Sequence, residues 1–244
     1  MRNVVVTGGS RGLGLGIAKM LSGAGYCAIC ISRSSNDELK RAIEDAETGR
    51  HGRIHFAPFD LSDIEGIPKL AEMIKEQHGA VYGLVNNAGI GSGGILATMQ
   101  NAEIERIVRL NTLSPIMLSK YLVRMMMVHG EGRIVNVASI VAMTGFSGLS
   151  VYAATKASMI GFTRSLAREV GRAGINVNAV APGFVETDMT RDMGMKEREQ
   201  IVRRSALRRM PEIEDVAGAV EYLLSERSKN ITGTVITVDA GSTA

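Results

Sequence analysis

Near the start of the chain a β-branched run, Val4-Val5-Val6-Thr7, breaks into Gly8-Gly9-Ser10-Arg11-Gly12-Leu13-Gly14, and Leu15 to Leu21 then reads as helix. Strand, glycine turn and helix in that order form a cradle for phosphate. Glycines let the backbone approach an anion closely, and the helix start offers free N–H groups and a partial positive charge. A glycine cluster alone could be a tight turn. The flanking strand and helix make phosphate binding the better reading.

Strand and helix signals alternate from there to the end. Residues 2–7, 27–32, 54–58, 81–86, 133–137, 176–180 and 234–239 read as strands. Ser35-x-x-Glu38 and Ser62-x-x-Glu65 have capping-box spacing and predict helix starts. Residues 101–128 form a long helical stretch interrupted by Asn111 and Pro115, where the proline removes an intrahelical hydrogen bond and exposes a carbonyl near Asn111. Residues 151–171 and 211–225 are further helices, and 186–210 has the polar, weakly periodic profile of a substrate lid. With no linker or repeat, this predicts an α/β fold spanning 1–244. It is a single-domain, Rossmann-like, doubly wound sheet of about seven mostly parallel strands flanked by helices.

The second strand ends at Arg33-Ser34-Ser35, where nicotinamide dinucleotides are told apart. A carboxylate there would bind the adenosine ribose hydroxyls, whereas a basic group accommodates a 2′-phosphate. Nothing acidic lies between Ile31 and Asn36, and Arg11 sits inside the glycine loop. Either arginine alone could be surface charge, but together they favour NADP over NAD. After the third strand, Asp60 could reach an adenine amino group. After the fourth, the small residues of Asn86-Asn87-Ala88-Gly89 suit close packing beside a dinucleotide.

Tyr152 and Lys156 are four apart on a helical segment, with Cβ atoms about 5–6 Å apart. A phenol has a pKa near ~10, and an ammonium about 5 Å away lowers it by about two units at an effective dielectric of ~20. That predicts a tyrosine tuned for general acid–base work. Ser139 stands just past the fifth strand.

Other function classes find little support. Net charge is +3 with both signs interleaved, and aromatics are 4% with no Trp, which leaves no basic stripe or stacking platform for nucleic acid. No window approaches the ~18–20 apolar residues of a membrane span, so a cytoplasmic location is the default. Cys27 and Cys30 fall three apart in a strand and point to opposite faces, as buried thiols rather than a redox pair. His51 and His55 lack a third ligand nearby, and no metal site is expected.

With the glycine loop, Asn86-Asn87-Ala88-Gly89, Asn111, Ser139, Tyr152, Lys156 and Pro182-Gly183 in order, the chain resembles the short-chain dehydrogenase/reductase family over essentially all 244 residues. The resemblance implies that Tyr152 is the general acid and that Lys156 holds the nicotinamide ribose and lowers the Tyr152 pKa. Ser139 hydrogen-bonds the carbonyl oxygen, and Asn111 seats a water in a proton relay. It implies an NADP(H) site at Gly8, Ser10, Arg11, Gly12, Leu13, Gly14, Arg33, Ser34, Asp60, Leu61, Asn87, Ala88, Gly89, Tyr152, Lys156, Pro182, Gly183, Val185 and Thr187. It also implies a homotetramer built across the helices at 101–128 and 151–171.

Within the family, residues 161–169 and 181–190 look most like the reductases of 3-oxoacyl thioesters on acyl carrier protein. The implied reaction is NADPH-dependent reduction of a 3-oxoacyl thioester. The basic run that helps receive the acidic carrier is replaced by His129-Gly130-Glu131-Gly132-Arg133, so the carrier remains open as a partner. Arg203, Arg204, Arg208 and Arg209 could replace it, or could be ordinary exposed charge. Another alcohol or ketone (sugar, steroid or xenobiotic) and a non-catalytic dinucleotide-binding regulator are the alternatives.

Overall fold

The computed structural model describes every residue except Arg50, Ser92 and residues 187–193. Among the described residues the sheet has seven strands: β1 (Asn3–Thr7), β2 (Cys27–Ser32), β3 (Arg53–Pro58), β4 (Val81–Asn86), β5 (Gly132–Val137), β6 (Ile175–Pro182) and β7 (Val235–Val238). Their order is β3-β2-β1-β4-β5-β6-β7. Every pairing is parallel, where the sequence pattern predicted only that most would be.

Parallel strands covered on both faces explain why the strand sequences are runs of Val and Ile rather than alternations. Val4 and Val6 belong to one core, with residues of α1 (Gly12–Gly23), α2 (Asp37–Thr48) and α9 (Ile213–Leu224). Val5 belongs to the other, with α3 (Ile67–His78), α5 (Ser114–His129) and α7 (Ser150–Val170). Cys30 and Cys27 divide in the same way, one thiol in each core. Burial raises the pKa of both and pushes Cys30 up to about 12, so both stay as inert thiols.

Two helix starts differ from the capping-box reading. The cap of α2 is Asn36, whose side chain accepts from Leu39 N at 2.8 Å. Before α3, Asp60 accepts from Ser62 N and Asp63 from Gly66 N, at 2.9 and 3.1 Å. These turns delay the helix to Ile67, where Pro68 suits the first turn because no N–H is needed there.

The break within the long helix is a π turn, Arg109–Leu113, between α4 (Asn101–Val108) and α5. Ser114 N reaches back five residues to Arg109 O. Pro115 has no N–H to give the Asn111 carbonyl four residues earlier. π turns of this kind gather at functional sites. The expected lid contains α8 (Met195–Arg204), and its far end is fastened to the C-terminal segment, with Ser205 Oγ donating to Ala240 O at 2.7 Å.

The amino edge of the sheet carries its own fastening. Arg2 lies 4.2 Å and Arg133 5.7 Å from the Tyr82 ring centroid. Arg2 pairs with Glu226 and Glu131 at 2.6 and 2.9 Å. The hydroxyls of Tyr26 and Tyr82 both donate to Leu224 O.

On the other core, Asn86 Nδ2 donates to Ser119 Oγ (3.1 Å) and Asn136 Oδ1 (2.8 Å), Asn136 Nδ2 to Thr163 Oγ1 (2.8 Å), and Thr163 Oγ1 to Met159 O (2.7 Å). All four side chains are buried, so this chain fixes α5 and α7 against β4 and β5. Thr163→Val keeps the shape but strands the Asn136 donor, and should lower stability by about 1–3 kcal/mol in urea denaturation. Thr163→Ser should recover most of that. Equal losses in the two variants would show that the hydroxyl is not what matters.

Candidate active site

The carboxyl ends of β1, β4, β5 and β6 meet along one edge, and nearly all the expected site residues lie there. Thr7 locks the first two ends together. Its Oγ1 accepts from Asn87 N and Ala88 N at 2.9 Å each, and Asn87 Nδ2 donates to Thr7 O at 2.9 Å. Gly8 (φ +67°) and Gly12 (φ +53°) turn the chain in left-handed conformations. At Gly14 an added Cβ would lie 2.1 Å from Gly8 O, so α1 starts hard against the strand end.

That start is built for an anion. No side chain caps it, and the backbone N–H groups of its first turn have no intrahelical partner. Arg11 is exposed and extended just before it, with Ser10 and Leu13 alongside. Arg33 and Ser34 are exposed at the tip of β2. Asp60 is exposed past β3, with one oxygen committed to Ser62 N, while Leu61 beneath it is buried. A cradle that admits no side chain, an uncapped helix end and two exposed guanidiniums fit a phosphorylated dinucleotide.

Lys156 is buried, and its Nζ donates to Val137 O at 2.8 Å. A Cβ added to Gly89 would sit 3.5 Å from that Nζ and 3.3 Å from Asn111 Oδ1. Glycine here keeps the space beside the lysine open. Asn111 is buried in the π turn, where it accepts from Ile90 N (2.9 Å) and donates to Ile90 O (2.9 Å) and Thr155 Oγ1 (3.2 Å). Its amide thus straps the loop after β4 to α7. Ser139 follows β5, and Ala138 N and Ile140 N on either side donate to Val180 O and Pro182 O of β6. Gly183 N donates to Val238 O, and Val185 is buried. Thr187 lies outside the described residues.

The expected electrostatics of Tyr152 need correction. Burial raises its pKa, and a hydrogen bond with Ser139 pulls the other way. The lysine charge is not among the causes. Lys156 Nζ lies 5.7 Å from the Tyr152 ring centroid and donates to a backbone carbonyl. Loss of water around the phenol is the larger effect, ahead of the Ser139 hydrogen bond.

Sequence reading missed three contributors. Thr7 was visible only as the residue before the glycines. Thr155, which holds Asn111 and donates to Tyr152 O at 2.8 Å, carries no motif signal beyond its place beside Lys156. The Val137 carbonyl leaves no mark in any sequence.

The short chain dehydrogenase family model matches residues 2–198. The chain is similar to the 3-oxoacyl-acyl-carrier-protein reductase FabG of Escherichia coli (strain K12), 39% identical over 237 residues, covering 97% of this chain and 95% of that protein. It is 37% identical to FabG of Chlamydia pneumoniae, covering 99% and 97%. Among solved structures, a gluconate 5-dehydrogenase from Burkholderia cenocepacia J2315 in complex with NADP and tartrate superposes with TM-score 0.93 at 26% identity, covering 99% of this chain and 95% of that one. A short-chain type dehydrogenase/reductase from Mycobacterium ulcerans does so with TM-score 0.93 at 28% identity, covering 99% and 89%.

Burial holds Lys156 down at about 8 against an ordinary 10.5. Below pH 8 both folded and unfolded chains carry this proton, and the folded state bears the whole desolvation cost. The cost fades as pH rises to 10.5, where the unfolded lysine also loses its charge. Lys156→Met should therefore be more stable than the parent at pH 7, by on the order of 1–3 kcal/mol. That gap should narrow between pH 8 and 10.5. Paired urea titrations across this range would measure it, and a gap that ignores pH would contradict the assignment.

Proposed function

Because this chain belongs to the short-chain dehydrogenase family, we propose that it is an NADPH-dependent reductase that converts the ketone of a 3-oxoacyl thioester to a secondary alcohol. The observation that carries the thioester reading is the likeness to the FabG reductases, 37–39% identical over nearly the whole of both chains. The gluconate enzyme shares the fold at 26% identity, which keeps a sugar acid as the second reading.

Each residue would have a separate task. N–H groups at Gly12, Leu13 and Gly14 would hold the pyrophosphate, with Gly8, Ser10 and Asn87 shaping the turn around it. Arg11 and Arg33, with Ser34, would receive the 2′-phosphate, and Asp60, Leu61 and Ala88 would flank the adenine. Gly89, Pro182, Gly183, Val185 and Thr187 would line the nicotinamide end. Bound NADPH supplies a hydride to the carbonyl carbon.

Tyr152 Oη would give its proton to the carbonyl oxygen as negative charge develops there. A phenol with a raised pKa stays protonated at neutral pH, the form that reduction requires. Ser139 Oγ would donate a second hydrogen bond to the same oxygen. Lys156 Nζ has donors beyond the one given to Val137 O, and these would hold the ribose hydroxyls. The Asn111 amide is already occupied, so the water of a proton relay would sit on its backbone carbonyl.

Assembly belongs to the same reading. Val108 and Leu113 are exposed beside α7, whose Ala154, Ala157 and Gly161 are also exposed, and nothing would obstruct a Cβ at Gly161. This small-residue face would let another helix approach, as a homotetramer requires. Arg133 is buried against Tyr82 and cannot receive an acidic acyl carrier protein. The exposed Arg203, Arg204, Arg208 and Arg209 would serve instead.

Purified protein should oxidise NADPH when given acetoacetyl-CoA, and Tyr152→Phe should lower kcat/KM by about 10²-fold or more. Arg33→Ala should raise the KM for NADPH about tenfold, as expected for losing one guanidinium–phosphate pair, with little change for NADH. Equal rates with NADH in the parent protein would overturn the NADP reading.

A further inference from the structure

The ketone-reduction reading places a carbonyl between Ser139 and Tyr152, and the inference here rests on it. Three loops follow β4, β5 and β6 at that edge, and exposed apolar side chains stand on them among the exposed Thr98, Thr144, Ser147 and Glu186. The loop after β5 runs from Ser139 through α6 (Val141–Thr144) to Phe146; the helical part rises only about 6 Å. Met143 is 50% and Phe146 51% exposed.

Gly145 (φ +69°) and Gly148 (φ +80°) bracket this stretch in left-handed conformations that a side chain would disfavour. The Phe146 ring meets that of Phe184 edge to face, with centroids 5.8 Å apart at 63°. Phe184 directly follows Pro182-Gly183, at the edge where the cofactor's reacting end would lie. Gly94 N donates to Gly148 O at 2.9 Å, tying in the loop after β4, on which Ile95 and Leu96 are 71% and 55% exposed.

We infer that Phe146 and Phe184, with Met143, Ile95 and Leu96 around them, form a seat for the hydrocarbon tail of the acyl group. The seat would make this enzyme prefer longer 3-oxoacyl chains over acetoacetyl. Water around the exposed part of these side chains is released when a methylene chain covers them. A polyhydroxy acid would find no hydrogen-bond partner on these side chains and would lose water it needs. The aromatic pair is rigid and already in contact, so a tail covers it without further ordering cost.

The test compares kcat/KM for acetoacetyl-CoA, 3-oxooctanoyl-CoA and 3-oxodecanoyl-CoA at saturating NADPH, with 5-ketogluconate as the polar control. The parent protein should favour the longer thioesters over acetoacetyl-CoA by about tenfold or more, the discrimination a few buried methylenes provide. Phe146→Ala should cut that ratio about fivefold or more, and Phe146→Leu should restore most of it. Thioesters reduced with no chain-length preference, or a preference untouched by Phe146→Ala, would overturn the seat and leave the thioester reading standing. Turnover of 5-ketogluconate with no thioester reduced would overturn both.

Discussion

A lysine ammonium enclosed in protein and facing a backbone carbonyl is an expensive thing to fold, and the site is arranged around keeping it there. Lys156 reaches Val137 O at the end of β5, so its position depends on the register between that strand and α7. The buried run from Ser119 through Asn86 and Asn136 to Thr163 fixes that register from below. The Asn111 strap to Ile90 and Thr155 fixes it from the side. The side chains of Ser119, Asn86, Asn136, Thr163, Asn111 and Thr155 are polar and buried, and the hydrogen bonds between them form only in one arrangement. Misplacement would be penalised several times over.

The same logic explains the glycines that matter. Gly14 admits no side chain because α1 must start where it can point its free N–H groups at an anion. Gly89 leaves space beside Lys156 and Asn111. One glycine lets α1 start against the end of β1, and the other keeps the sheet edge clear beside the buried ammonium. Around them sit loops whose apolar side chains are open to solvent, a polar interior framed by a greasy rim.

Much of this was legible in the sequence, for physical reasons. A parallel sheet buried on both faces favours apolar runs, and short apolar stretches between helix signals marked all seven strands to within a residue or two. Phosphate cradles demand glycine, and helical spacing puts Tyr152 and Lys156 on one face. Less legible was anything decided by competition between neighbours. Ser35 and Asn36 are both good caps, and the structure uses Asn36. The Tyr152 pKa depended on how much water the fold removes, which spacing along a helix does not reveal. Arg133, the one basic residue left where a carrier-receiving run was expected, lies buried against Tyr82, and a lone arginine near the start of a strand carries no sequence signal of burial.

The fastening of Arg2, Tyr82, Arg133 and Glu226 occupies the opposite rim of the sheet from the glycine cradle. Durability and chemistry are therefore written in different places. A lineage could rewrite the loops that choose its substrates, trading one molecular diet for another, without touching the clasp that keeps its strands together. Such a division of labour lets one scaffold host many trades.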